Sequence, residues 1–243
     1  MKRLLIFASV LATAGCGLRD RAPGQPTADS QAIRPSKILD FTSLYAQNCA
    51  GCHGASGRGG AAIGLANPPY LAIADDGTIT RVTSAGVPGT AMPAFAEKSG
   101  GMLTEQQIGA IVHGMRSRWA RPGSAPSADA PPYASTEPGD VQRGAIAFET
   151  FCSSCHGKEG RGGARASSIV DPSYLELVSD QGLRTIIILG RPDLGAPDWR
   201  GDVPGRPMAS RDISDVVAWL AAQRPNLAAQ PNFSALHIPG GVR

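Results

Sequence analysis

The chain has 243 residues, with 23 basic against 20 acidic side chains, five Cys, five Met and four His, a length that suits two domains. A net charge of +3, spread along the chain, excludes nucleic-acid binding as a main function, which needs a basic domain or stripe. Thirty Gly, twenty Pro and only 5% aromatic residues leave too few large side chains to fill two cores unaided, so something other than side chains is expected to fill them.

In chain order, Met1-Lys2-Arg3 is a basic start and Leu4 to Ala14 an apolar run too short to cross a bilayer, which takes about 20 residues. The run ends in Thr13-Ala14-Gly15-Cys16, which resembles the lipobox of bacterial lipoproteins, with Thr13 in place of the usual larger aliphatic residue. That resemblance implies a signal peptide over 1–15 and a lipid anchor on Cys16, the alternative being ordinary cleavage that leaves Cys16 unmodified. Either way the mature chain is expected to be exported. Residues 16–37 are polar and Pro-containing and read as a flexible tether.

The first domain, 38–120, carries Cys49-Ala50-Gly51-Cys52-His53-Gly54, then Gly57-Arg58-Gly59-Gly60-Ala61 and Pro68-Pro69-Tyr70-Leu71. Thr104 and Gln107 form a capping box for its last helix, on which Ile108, Ile111, Val112 and Met115 recur at helical spacing. His113 on that helix reads as a surface residue. A Pro-rich linker follows over 121–139. The second domain, 140–225, repeats the first: Cys152-Ser153-Ser154-Cys155-His156-Gly157, Gly160-Arg161-Gly162-Gly163-Ala164 and Pro172-Ser173-Tyr174-Leu175. Gly190-Arg191-Pro192 then matches Gly86-Val87-Pro88, and a Pro- and Gly-containing tail with His237 occupies 226–243.

C-x-x-C-H in an exported chain is the attachment signature of c-type haem. Two thiols form thioethers with the porphyrin vinyl groups and the adjacent imidazole takes the proximal iron position. On a helix, positions i, i+3 and i+4 share one face, so Cys49, Cys52 and His53, like Cys152, Cys155 and His156, can address one flat ligand. A zinc site would need a complete ligand set, which neither copy supplies; a disulfide or a thioredoxin-like pair is the other competing reading. Two covalently attached c-type haems are expected, one per domain. They would supply apolar core and cross-link together, so folding should depend on haem attachment.

Each half resembles a class I c-type cytochrome, and the whole is similar to tandem dihaem members of that family, including dihaem subunits of respiratory complexes. The resemblance implies an all-α fold of two tandem domains, each wrapped around one covalent haem and joined by the Pro-rich linker. It implies a closing helix crossing the first, and a Met in the later loop as sixth iron ligand. Gly89-Thr90-Ala91-Met92-Pro93-Ala94-Phe95 carries the family's Met-Pro pattern. Gly205-Arg206-Pro207-Met208-Ala209 is a looser match, placed after about twelve extra residues, with Pro before Met208. The expected iron ligands are therefore His53 with Met92 and His156 with Met208, His237 being the rival in the tail. By the same resemblance the Pro68-Pro69 and Pro172 segments supply the carbonyl that orients each His. Arg58 and Arg161 could pair with haem propionates. Trp219 is expected to pack near Gly144 and Phe148; Phe41 stands at the place of Gly144, which points to a wider or shifted crossing in the first copy.

These readings lead to an electron-transfer protein on the periplasmic side of a bacterial membrane, in a respiratory or photosynthetic chain. Its expected partners are a membrane redox complex, a small soluble electron carrier, or both, with the membrane reached through the N-terminal lipid and no nucleic acid. The alternative is a dihaem enzyme such as a peroxidase or a thiosulfate-oxidising cytochrome, which needs an open iron position or a special ligand.

Overall fold

The computed structural model describes residues 32–121, 129–201 and 203–225. The 1–15 signal segment, Cys16 and most of the 16–37 tether, together with His237 in the tail, lie outside the described residues. Among those described there is no strand. The first domain contains α1 Phe41–Asn48, α2 Ala50–His53, α3 Pro68–Ile73, α4 Asp76–Ala85 and α5 Glu105–Trp119. The second contains α6 Val141–Phe151, α7 Ser153–His156, α8 Pro172–Leu177, α9 Asp180–Leu189 and α10 Ser210–Ala221. The fold is all-α and the second run of helices repeats the first.

Side-chain caps set the starts of most longer helices. The Asp40 carboxylate accepts the Ser43 N–H at 2.8 Å to open α1, and Asp140 accepts that of Arg143 at 2.8 Å to open α6. The capping box at α5 is complete, with Gln107 N–H donating to Thr104 Oγ1 at 3.2 Å and Thr104 N–H to Gln107 Oε1 at 3.0 Å. At α10 Ala209 has no side-chain oxygen, so only the returning half exists, Ala209 N–H donating to Asp212 Oδ2 at 2.9 Å.

Each domain closes by packing its last helix on its first, and the two solve the crossing oppositely. In the second, a Cβ on Gly144 would lie 2.0 Å from the Asp215 carbonyl oxygen and 2.7 Å from Trp219 Cβ, so α6 and α10 touch backbone to backbone there. In the first, the bulky residue is on the opening helix: a Cβ on Gly114 would lie 2.1 Å from the Phe41 ring. Phe41 replaces Gly144 and Gly114 replaces Trp219, so volume is exchanged across the contact. The α1–α5 contact is shorter than that of α6 and α10. An edge-on cluster of Phe41, Tyr45 and Trp119 fills the first core, and Phe148 stacked on Trp219, with ring centroids 4.4 Å apart, fills the second.

The 129–139 stretch of the linker lies on the second domain. Buried Arg184 on α9 donates to the Pro132 carbonyl at 2.9 Å and the Tyr133 carbonyl at 3.1 Å, and to Ser210 Oγ at 2.9 Å and Ser214 Oγ at 3.2 Å at the start of α10. Burial pushes the Arg184 pKa down. The domains meet where α3 faces α9, and where Arg191 Nη2 donates to the Gly60 carbonyl at 2.9 Å.

Candidate haem sites

The two C-x-x-C-H segments form the same backbone turn. α2 and α7 are single helical turns that start at the first Cys and stop at a glycine of positive φ, Gly54 at 84° and Gly157 at 74°. A side chain is excluded at both: a Cβ on Gly54 would lie 1.8 Å from the Arg58 carbonyl oxygen, and one on Gly157 2.1 Å from that of Gly162. Within the turns, His53 N–H donates to the Cys49 carbonyl at 3.0 Å and His156 N–H to the Cys152 carbonyl at 3.0 Å. None of these four cysteines is in a disulfide, and Cys49 is buried while Cys52 is exposed. Burial, with the neighbouring Cys adding to it, pushes the Cys49 thiol up to about 11 and the Cys152 thiol up to about 12.

Each imidazole is fixed through Nδ1. His53 Nδ1 donates to the Ile63 carbonyl at 2.8 Å and His156 Nδ1 to the Ser167 carbonyl at 3.0 Å. A carbonyl only accepts, so Nδ1 carries the proton and Nε2 keeps its lone pair for iron. Burial also lowers the pKa of His53, favouring the neutral ring. These carbonyls do not come from the expected Pro68-Pro69 and Pro172 segments. They come from the glycine-rich loops before them, because those loops fold straight back onto the helical turn: Ala62 N–H donates to the Cys52 carbonyl at 2.9 Å and Gly162 N–H to that of His156 at 2.7 Å.

The donor set fits a haem and not a bare ion. Among the described residues no three or more His, Cys, Asp or Glu side chains converge to hold a metal, so iron at either His would need the porphyrin nitrogens. Cys49, Cys52 and His53, and in the second domain Cys152, Cys155 and His156, are the groups that would hold it. The matched arginines differ. Arg58 Nη2 donates to the Ala66 carbonyl at 2.7 Å, whereas Arg161 is largely exposed and pairs with Glu159 at 3.3 Å.

The later loops are also the same structure, in a register the Met pattern conceals. Val87 N–H donates to the Met92 carbonyl at 3.0 Å, and Arg191 N–H to the Ala196 carbonyl at 3.0 Å. Leu103 N–H donates to the Phe95 carbonyl at 2.8 Å, and Met208 N–H to the Trp199 carbonyl at 2.9 Å. A Cβ on Gly86 would lie 2.5 Å from the Pro93 carbonyl carbon, and one on Gly190 2.5 Å from that of Pro197. Thus Met92 corresponds to Ala196, Phe95 to Trp199 and Leu103 to Met208. There are no twelve extra residues, since 87–103 and 191–208 are loops of nearly equal length ending at the cap of the last helix. Met92 is half-buried in its loop, while Met208 packs in the core beside the cap of α10, 5% exposed, as Leu103 does beside α5. The signal was in the sequence: continuing without a gap from Gly190-Arg191-Pro192 sets Pro197 on Pro93 and Trp199 on Phe95.

Residues 37–113 match the family described as cytochrome C oxidase, cbb3-type, subunit III. The cytochrome bc1 complex cytochrome c subunit of Corynebacterium diphtheriae is 24% identical over 224 residues, covering 88% of this chain and 76% of the relative. The protein of the same name from Corynebacterium efficiens is 24% identical over 230 residues, covering 90% of this chain and 74% of that one. A chain of the reducing HAO-like protein complex of Kuenenia stuttgartiensis aligns with a TM-score of 0.46 at 17% identity, over 80% of this chain and 100% of its own length. The C-x-x-C-H turn, the carbonyl-tethered His53 and the Met92 loop all lie inside the matched residues, so the match to a cytochrome c family covers the site of the first domain.

Proposed function

We propose that this chain is an exported dihaem cytochrome c, anchored by a lipid on Cys16 to the periplasmic side of a bacterial membrane, that passes electrons within a respiratory complex of the quinol-oxidising, bc1 type. The observation that carries this reading is the duplicated turn: both His156 and His53 tie Nδ1 to a backbone carbonyl and leave Nε2 free, one residue after a paired thiol. The naming of the corynebacterial relatives supports the choice of complex. Bound haem supplies the one-electron ferric–ferrous couple. The chain's own residues hold the imidazoles in one tautomer and fix ring orientation.

Because the two attachment turns belong to separate helices, replacing Cys152 and Cys155 by Ala should leave one haem on Cys49 and Cys52. Intact mass and haem staining of denaturing gels read this directly. A wild-type chain carrying fewer than two haems would overturn the dihaem reading, and a mature N-terminus other than modified Cys16 would overturn the anchor.

A further inference from the structure

The second domain departs from the first at one position that bears on chemistry. In the first, the loop residue whose carbonyl accepts the Val87 N–H is Met92; in the second, the residue whose carbonyl accepts the Arg191 N–H is Ala196. The Ala side chain, a methyl group, has no lone pair to give a metal. The rest of the second loop offers no substitute, because residues 191–207 contain no His, Cys, Met, Tyr or Lys. Its described carboxylates are engaged, Asp193 with Arg191 at 2.8 Å and Asp198 with Arg200. Met208 is tied by its own backbone to Trp199 beside the cap of α10 and lies in the core cluster at Leu103's place.

We infer that the second haem site, unlike the first, presents no loop side chain to the sixth iron position and therefore binds a small diatomic ligand there. This rests on the dihaem reading and deepens it: the first site, with Met92 opposite His53, is closed and suited to electron transfer, while the second is open to an exogenous molecule. A haem with an unfilled axial position is high-spin in the ferric state and takes carbon monoxide readily when ferrous, whereas a thioether-ligated one is low-spin and resists it.

The full-length holoprotein with carbon monoxide as probe provides the test. One of the two haems should be high-spin as isolated and bind carbon monoxide on reduction. Ala196→Met should restore the pattern of the first loop, abolish both signatures and add a second thioether-to-iron absorption band. Met208→Leu, which copies the first domain's core residue, should leave both haem spectra unchanged. Two low-spin haems inert to carbon monoxide would overturn the inference. Met208→Leu and His237→Ala would then show which side chain closes the iron. Ala196→Met without effect on the open haem would overturn it as well. Intact mass counts haems whatever their ligands: two haems both closed to carbon monoxide defeat this inference alone, and a missing second haem defeats the dihaem reading together with it.

Discussion

From the opening cap to the carbonyl that orients the imidazole, the two domains are built alike. Asp40 and Asp140 cap the first helices, Gly54 and Gly157 turn the chain after the His, and Ile63 and Ser167 receive Nδ1. Beyond that point the same demands are met by different residues. Arg116, near the end of α5, pairs with Asp76 at 2.6 Å and donates to the Leu71 and Ala74 carbonyls. In the second domain the corresponding carbonyls, Leu175 at 3.0 Å and Val178 at 2.8 Å, together with Asp180, are reached by Arg224, roughly one helical turn farther on. On the proposed dihaem reading the attachment turn has little freedom, because two thiols and an imidazole must address one rigid ring. A helix crossing or a loop anchor only has to fill volume and satisfy carbonyls, and several residue choices do that.

The crossing gives the largest expected effect. Gly144→Ala would push a methyl against the Asp215 backbone, which cannot rotate away, and should destabilise the second domain by about 3 kcal/mol. Gly114→Ala meets the Phe41 ring, which can turn, and should cost the first domain about 1 kcal/mol. Thermal unfolding of the holoprotein, followed by circular dichroism, reads both. Equal losses would mean that the exchange of Phe41 and Gly114 for Gly144 and Trp219 is not what separates the two crossings.

Arg184 sharpens the comparison from another side. Among the described residues it pairs with no carboxylate and is held by the Pro132 and Tyr133 carbonyls and by Ser210 and Ser214, so it fastens the 129–139 stretch to α9 and α10. The corresponding residue on α4 is Thr80, which is exposed. Arg184→Met should lower the stability of the second domain by about 2 kcal/mol, since charged donors to several carbonyls are lost. Faster hydrogen exchange over 130–140 should accompany it. Thr80→Met should change stability by less than about 0.5 kcal/mol.

Much of this was legible in the sequence, and the exceptions have physical causes. The duplication, the attachment motifs, the capping box of Thr104 and Gln107 and the close approach at Gly144 follow from spacing, because each is a local pattern with few alternatives. The carbonyl partners of His53 and His156 lie several residues before the Pro segments, since backbone oxygens have no sequence signature and the fold-back of a glycine-rich loop is decided by its turns. Residue type pairs Met208 with Met92, whereas the loop register pairs Ala196 with Met92. The hydrogen bonds to Phe95 and Trp199 set Met208 in Leu103's place. Likewise the Pro content of 121–139 marked a break between domains but gave no hint that Arg184 holds its second half.

Asp215 is the smallest and most specific of these differences. Its carboxylate accepts from Arg143 Nε at 2.7 Å and from the Asp140 N–H at 2.7 Å, joining α10 to the start of α6. The first domain has Ala110 at the corresponding place on α5. The Arg143 guanidinium holds the Asp215 carboxyl below the usual carboxylate range. A folded-state pKa below the unfolded value, about 3.9 for Asp, means stabilisation that is present above that value and disappears as pH falls through the folded pKa. Arg143 is half exposed, its side chain at 46%, so solvent screening limits the ion pair to about 1 kcal/mol. Asp40 and Asp75 in the first domain are also held low by their capping bonds, so acid weakens both domains and the wild-type chain alone cannot isolate Asp215. The informative comparison is wild type against Asp215→Asn within the second domain: the two unfolding midpoints should differ at neutral pH and converge below about pH 4 as wild-type Asp215 takes up its proton. A constant difference across that range would mean that Asp215 acts by packing against Gly144, not through its charge.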